Sequence, residues 1–305
     1  TYTTEFNSSN NLLPPGPPRE IDIVFDNKTT TKQNGDAIDI YRTHPAFTFG
    51  NTELNGIWVG KFETTGTAGT PTIKPNLVSL TSQKISAQFA TSQKLGTSTY
   101  GSTSKVDAHM MKNSEWGAVA YLTHSKYGKN GNEIAQNTSY YTGGGYNGRY
   151  TSYTSQSSTG NVYGIYDMSG GAHEYVMAVL ADKNGAPRSG YARLYNSGFT
   201  GIVYGYGTNG TYNGTPFPDS KYYDLYTTTD RTTACSGTIC FGHALSETYE
   251  WYGNYATFVS EKYPWFIRGG LYSSGAEAGI NDYGNASGDD GSSDRSFRLV
   301  ISYVE

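Results

Sequence analysis

The strongest constraint on this chain is a contrast within residues 265–303. Trp265-Phe-Ile-Arg and Phe297-Arg-Leu-Val-Ile carry aromatic and branched side chains flanked by turn residues, the pattern of buried strands. Between them, 271–294 holds no Lys, Gln, Met or Trp and a single Glu, Glu277, while Tyr, Ser, Asn, Asp, Gly and Ala fill nearly every place. Any fold must therefore hang a long polar segment between two core strands. Small polar residues with interspersed Tyr make adaptable binding loops rather than cores. The segment is expected to face solvent, either as a ligand surface or as an ordinary solvated loop.

The rest of the chain can supply a core. Its hydrophobic fraction is only 36%, but 28 Tyr and 12 Phe bring large apolar area with a polar handle on each Tyr. Abundant Gly, Thr, Ser and Asn give a loop-rich, extracellular style. A net charge of −4 without any Lys/Arg cluster argues against nucleic acid or an anionic membrane as partner. The longest apolar runs, such as 176–181, are too short to span a bilayer, so no membrane insertion is expected. The sequence opens on Thr1 without a leader, which suggests a processed or excised chain anchored through upstream sequence. Cys235 and Cys240 enclose Ser-Gly-Thr-Ile; a local disulfide is the expected state and free thiols the alternative. Such a bond would stabilise by about 2 kcal/mol.

Residues 1–43 read as an N-terminal extension: a Pro-rich spacer, strands at 21–25 and 38–41, and a turn at Asn34-Gly35. Residues 44–305 read as one domain. Strands are expected over 45–49 and 57–63. Ile85, Phe89 and Leu95 predict a short helix in 82–95. A second helix should start at a cap on Asn113 or Ser114 and end near His124, with Gly128 as its stop. Residues 128–158, centred on Gly143, Gly144 and Gly145, read as a long surface loop. The stretch 161–177 is a turn and then a strand passing under the core, 182–233 a loop-rich insertion, and 243–255 the approach to the final strands. Strands bracketing two short helices give an α+β class with antiparallel sheets rather than βαβ winding.

Four ordered stretches carry a resemblance. They are Ala46-Phe with Ile57-Trp-Val-Gly-Lys-Phe-Glu; Asn113-Ser-Glu-Trp-Gly-Ala-Val-Ala-Tyr; Asn161-Val-Tyr-Gly-Ile-Tyr-Asp-Met-Ser-Gly-Gly-Ala-His-Glu-Tyr; and Phe266-Ile-Arg-Gly-Gly with Ser296-Phe-Arg-Leu-Val. Together they resemble the formylglycine-generating-enzyme-like (sulfatase-modifying-factor) branch of the C-type lectin fold, over residues 44–305. Oxidase members carry two copper-binding cysteines just after Arg-Gly-Gly; here that place holds none, and Cys235 and Cys240 precede it. The iron-dependent relatives need a histidine cluster, whereas His44, His109, His124, His173 and His243 are scattered singly. His243 beside Ser246 and Glu247 lacks a nucleophile elbow. The expectation is a non-enzyme without catalytic residues. No cofactor is expected except structural Ca²⁺, for which the resemblance nominates Asp167 and Glu174, although Gly171 stands where the family has Asn.

The same branch contains the variable proteins of diversity-generating retroelements in phages and bacteria. There the segment between the two closing strands binds ligand, and adenine-directed mutagenesis rewrites its Asn codons. Randomising both leading bases of an Asn codon never yields Lys, Gln, Met, Trp or Glu, a restriction that 271–294 obeys except at Glu277. The resemblance therefore implies an adhesin-like protein on a cell surface, pilus or virion, binding a protein or glycan on another cell or host surface. The alternatives are a structural subunit of a pilus or virion, or a metal-dependent enzyme of the same fold. Tyr272 and Tyr283 are the expected contact anchors. Leu271, Ser273, Ser274, Glu277, Ile280, Asn281, Asp282, Asn285, Asp290, Ser292, Ser293 and Asp294 complete the expected ligand surface.

Overall fold

The computed structural model describes residues 25, 43–145, 149–180, 197–200, 215–227, 240–289 and 292–304. The expected strands and turn upstream of residue 43 lie outside these residues, Phe25 apart, as do Cys235 and Asp290. In chain order the first elements are β1 (Thr48–Phe49), β2 (Thr52–Glu53), β3 (Ile57–Val59), β4 (Thr65–Gly66), β5 (Pro71–Thr72) and α1 (Ile85–Gln93). Then come β6 (Val106–Met110), α2 (Asn113–His124), β7 (His173–Leu180), β8 (Phe199–Thr200), β9 (Thr215–Pro216) and β10 (Asp224–Tyr226). The last are β11 (Trp265–Arg268), β12 (Tyr283–Ala286), β13 (Arg295–Phe297) and β14 (Leu299–Tyr303). The class is α+β, with two short helices and several small sheets.

β7 is the hub. Its apolar run is uninterrupted because both faces and both edges are covered, and every residue from Glu174 to Leu180 is buried. One edge pairs antiparallel with β11, which in turn pairs antiparallel with β12. The other edge takes β13 along His173–Tyr175 and β10 along Ala178–Leu180, both parallel, with the Met177 N–H donating to Met111 O between them. The central sheet is therefore mixed: antiparallel through β11 and β12, as expected, and parallel at β10 and β13, which the expected antiparallel sheets did not include. Alternation along β7 sorts two cores. Val176, Ala178 and Leu180 pack with Trp116, Val119 and Ala120 of α2, whereas Tyr175, Met177 and Val179 pack with Ile85 and Phe89 of α1. A second sheet, in the order β3-β14-β6, is wholly antiparallel.

Both helices form where the periodicity places them, but the cap of α2 differs from expectation. Glu115 reaches back to accept the Lys112 N–H at 2.8 Å, satisfying a free donor of the first turn. Asn113 instead donates to the Tyr226 hydroxyl at 2.8 Å, and Ser114 donates its N–H to Asp224 at 2.6 Å. Two other expectations are corrected. Pro45–Phe47 is a 3₁₀ turn, started by the fixed φ of Pro45, and the strand at 57 ends at Val59, one residue before the Gly60 N–H that still bonds Leu299 O of β14. Residues 128–158 are not simply a surface loop either, because Ile134, Asn137, Thr142 and Ser157 are buried.

Candidate ligand-binding surface

The scaffold under the polar segment is built from the motifs themselves. Ile280 O accepts from Trp116 Nε1 at 2.8 Å and from Arg268 Nη2 at 3.4 Å, so α2 and β11 hold the same carbonyl. The Arg268 guanidinium is fully buried, donates to Ala244 O at 3.0 Å, and stacks over Trp116 and Tyr283 at 5.5 and 5.7 Å. Gly270 follows in the left-handed region (φ 73°), and a Cβ there would lie 2.6 Å from Ala278 Cα. The chain can fold back on itself at that point only because the side chain is missing.

Beneath the neighbouring turn lies a buried ionic cluster. Arg298 donates to both carboxylate oxygens of Glu174, to Gly60 O at 2.7 Å and to Tyr166 O at 3.0 Å. Asp167 accepts the Gly143 N–H at 2.8 Å and Asn137 Nδ2 at 2.9 Å. Glu63 accepts the Ala172 N–H at 2.9 Å and the Ser79 hydroxyl. Burial, with Asp167 and Glu174 nearby, pushes the Glu63 carboxyl well above its ordinary range; burial raises Asp167 and Glu174 as well, against the opposing pull of Arg298. Glu174 pairs with the Arg298 guanidinium, while neutral donors hold Asp167 and Glu63. Of the two residues nominated for Ca²⁺, Glu174 bonds Arg298, and Asp167 bonds Asn137 and the Gly143 N–H. Gly171 packs here too: a Cβ would sit 2.4 Å from Glu63 Oε1.

On this base the segment 271–294 divides in two. From Leu271 to Glu277 the backbone is tied down while most side chains are free. The Tyr272 N–H donates to Gly171 O at 2.8 Å, Gln136 Nε2 to Leu271 O at 2.9 Å, and the Tyr255 N–H to Glu277 O at 2.9 Å. Tyr272, Ser273 and Glu277 are exposed; Leu271 and Ser274 are half-buried, with Ser274 Oγ accepting the Leu271 N–H. The Tyr272 ring meets the exposed Tyr140 ring edge-on at 6.2 Å, and Tyr140 lies 4.5 Å from Tyr141. Sequence reasoning missed Tyr140 and Tyr141. Their signal was there, a Tyr pair before the triple glycine, but it was absorbed into the loop.

From Ala278 onward the segment turns inward, which corrects the expectation that it faces solvent throughout. Ile280, Asn281, Asp282 and Tyr283 are all buried, and Tyr283 opens β12 inside the core. Tyr283 is thus a core residue rather than a contact anchor, and Ile280, Asn281 and Asp282 likewise leave the surface. Asn281 is bonded through its side chain to His124 at 2.9 Å and through its N–H to Asn254 at 3.2 Å. Burial holds the Asp282 carboxyl well above its usual range despite Arg268. Asn285 is half-buried and donates to Phe258 O at 2.8 Å. Ser292 and Asp294 are half-buried and bonded to each other, Ser293 is exposed, and Asp294 O accepts the His173 N–H at 2.9 Å.

The histidines perform other work. His109 is clamped between Asp107 (2.8 Å) and Glu115 (3.0 Å); burial opposes its charge, but the two carboxylates win and hold its pKa above the ordinary value. His243 Nδ1 meets the Tyr226 hydroxyl, and Glu247 accepts the Gly242 and Leu245 N–H groups, both at 2.9 Å. Burial drives His44 down to about 3 and keeps it neutral. Among the described residues no group of three or more His, Cys, Asp or Glu is arranged to hold a metal ion, and no helix is long and apolar enough to cross a membrane. Cys240 is disulfide-bonded. No protein-family model matches the chain, and no curated protein is similar to it.

Proposed function

We propose that the chain is a secreted or surface-displayed, non-catalytic ligand-binding protein with the formylglycine-generating-enzyme-like form of the C-type lectin fold, diversified by a retroelement. The observation that carries this reading is the division at 271–277, where the backbone is hydrogen-bonded to the scaffold while Tyr272, Ser273 and Glu277 stand free beside Tyr140 and Tyr141. Side chains at such positions can change without cost to the core. Two further observations support the family reading: the four motifs that carry the resemblance meet at Ile280 O and at Arg298, and the disulfide at Cys240 suits an oxidising compartment. The ligand class is a protein or glycan on another cell or host surface, gripped by Tyr side chains of low conformational entropy.

Sequencing the coding region for 260–305 across many cells of the source population tests the proposal. Variation concentrated at exposed and half-exposed positions (271–277, 285 and 292–294), with Arg268, Gly269, Gly270, Ile280 and Phe297 constant, is the expected result. Codons that are invariant throughout would overturn it.

A further inference from the structure

A second surface, sharing no residue with the first, lies on the β3-β14-β6 sheet. Trp58 is 74% exposed, whereas Trp116, Trp251 and Trp265 are buried. Its exposure follows from strand alternation: Ile57 and Val59 turn into the core and Trp58 turns out. Trp58 pairs with Ile301 on β14, and Tyr303, two residues further along the same face, is 48% exposed. The two rings therefore stand as diagonal cross-strand neighbours on one outer face. Beside them is a groove of about 390 Å³ lined by Thr52, Glu53, Asn55, Gly56, Trp58 and Tyr303 among others. Gly56 adds no bulk, since a Cβ there would meet nothing within 4 Å.

The chemistry of this groove selects among occupants. Lys105 Nζ already lies 5.7 Å from the Tyr303 ring centroid, which disfavours a cationic ligand, while Glu53 and a net charge of −4 disfavour an anionic one. A neutral molecule with one flat apolar side and an edge of hydroxyls matches two adjoining rings rimmed by a carboxylate, an amide and a hydroxyl. We propose that this groove is a carbohydrate subsite, in which Trp58 and Tyr303 stack on the C–H face of a pyranose and Glu53, Asn55 and Thr52 take its hydroxyls.

Trp58 reports on its own site. The difference in emission between the wild-type chain and Trp58→Ala isolates the one exposed indole. Titration with a panel of neutral oligosaccharides built from glucose, galactose, mannose or N-acetylglucosamine is expected to give, for at least one of them, a saturable quench and blue shift of that emission. By calorimetry Trp58→Ala should weaken the same binding about tenfold or more, and Tyr303→Ala should also weaken it. Neither change should move the melting temperature appreciably, and Tyr272→Ala should leave the binding intact. Three results would overturn the proposal: no saccharide in the panel binds, binding survives Trp58→Ala, or the only property Trp58→Ala alters is self-association in sedimentation, which would make the face a contact between copies.

Discussion

If 271–294 divides between a free rim and a core strand, its two tyrosines must respond very differently to truncation. Tyr283 is 2% exposed, packs edge-on against Phe266 at 6.2 Å and lies under the Arg268 guanidinium. Removing a buried aromatic side chain costs about 3–5 kcal/mol, part of it for the cavity left behind. In a chain of this size each kcal/mol moves the melting temperature by about 2–4 °C, so Tyr283→Ala should lower it by about 6–20 °C. Tyr272 is 39% exposed, and its ring contact is with Tyr140, itself 53% exposed. Losing that contact is worth about 1 kcal/mol and a shift of about 2–4 °C. Thermal melts followed by near-UV circular dichroism measure both, and urea midpoints check that the slope is unchanged. Equal shifts for the two variants, or a larger one for Tyr272→Ala, would refute the division of the segment and the surface argued from it.

Arg298→Met should cost about 3–5 kcal/mol at neutral pH, because it leaves Glu174 and Asp167 buried without a cation; a loss below about 1 kcal/mol in urea unfolding would contradict that picture of the cluster. Gly270→Ala should destabilise by on the order of 1–3 kcal/mol through the clash with Ala278 and the left-handed φ, and a neutral result in the same assay would show that the turn can relax. Burial raises Glu133 from 4.5 to about 7, so the folded state holds its proton where the unfolded chain has lost it. Its contribution to stability must fall as pH rises across that window, and Glu133→Gln should flatten this part of the profile while keeping the bond from Asn254; an unchanged slope would remove Glu133 as its source. His109 adds to the same trend: held above 6.5, it stabilises fully below that pH and loses its contribution as pH rises through the raised value, so His109→Gln should blunt the alkaline loss in the urea midpoints.

Much of the fold was legible because periodicity is a local signal. The spacing of Ile85 and Phe89 marked α1, and the run from Asn113 to His124 marked α2, its cap apart. The apolar run that begins at Tyr175 marked the strand that passes under the core. What stayed hidden depends on neighbours distant in sequence. β12 reads as loop because it is made of small residues, yet Gly284 is small because Ile267 presses on it, with a Cβ there lying 3.2 Å from Ile267 Cγ1. A strand packed against bulky partners needs no bulk of its own, and its composition then imitates that of a binding loop. The same blindness concealed the rim: nothing local to Tyr140 reveals that Tyr272, from far along the chain, will meet it.

The pairing of β7 also sets a timetable. Its partners β10, β11 and β13 all follow it in the chain, and β3 and β6, made early, have only β14 as their common partner. Neither sheet can close until residues 295–303 have left the ribosome. The nascent chain must keep its largest apolar strand incompletely paired while residues 181–294 are made, the high-contact-order regime in which folding is slow and premature association a hazard. The polar segment 271–294 emerges just before the closing strands, so any substitution in it first meets the scaffold at the moment the scaffold forms. Any sequence there that fails to return the chain in register would abort the whole domain, not merely spoil a loop, which makes folding itself the first test of any change between the two closing strands.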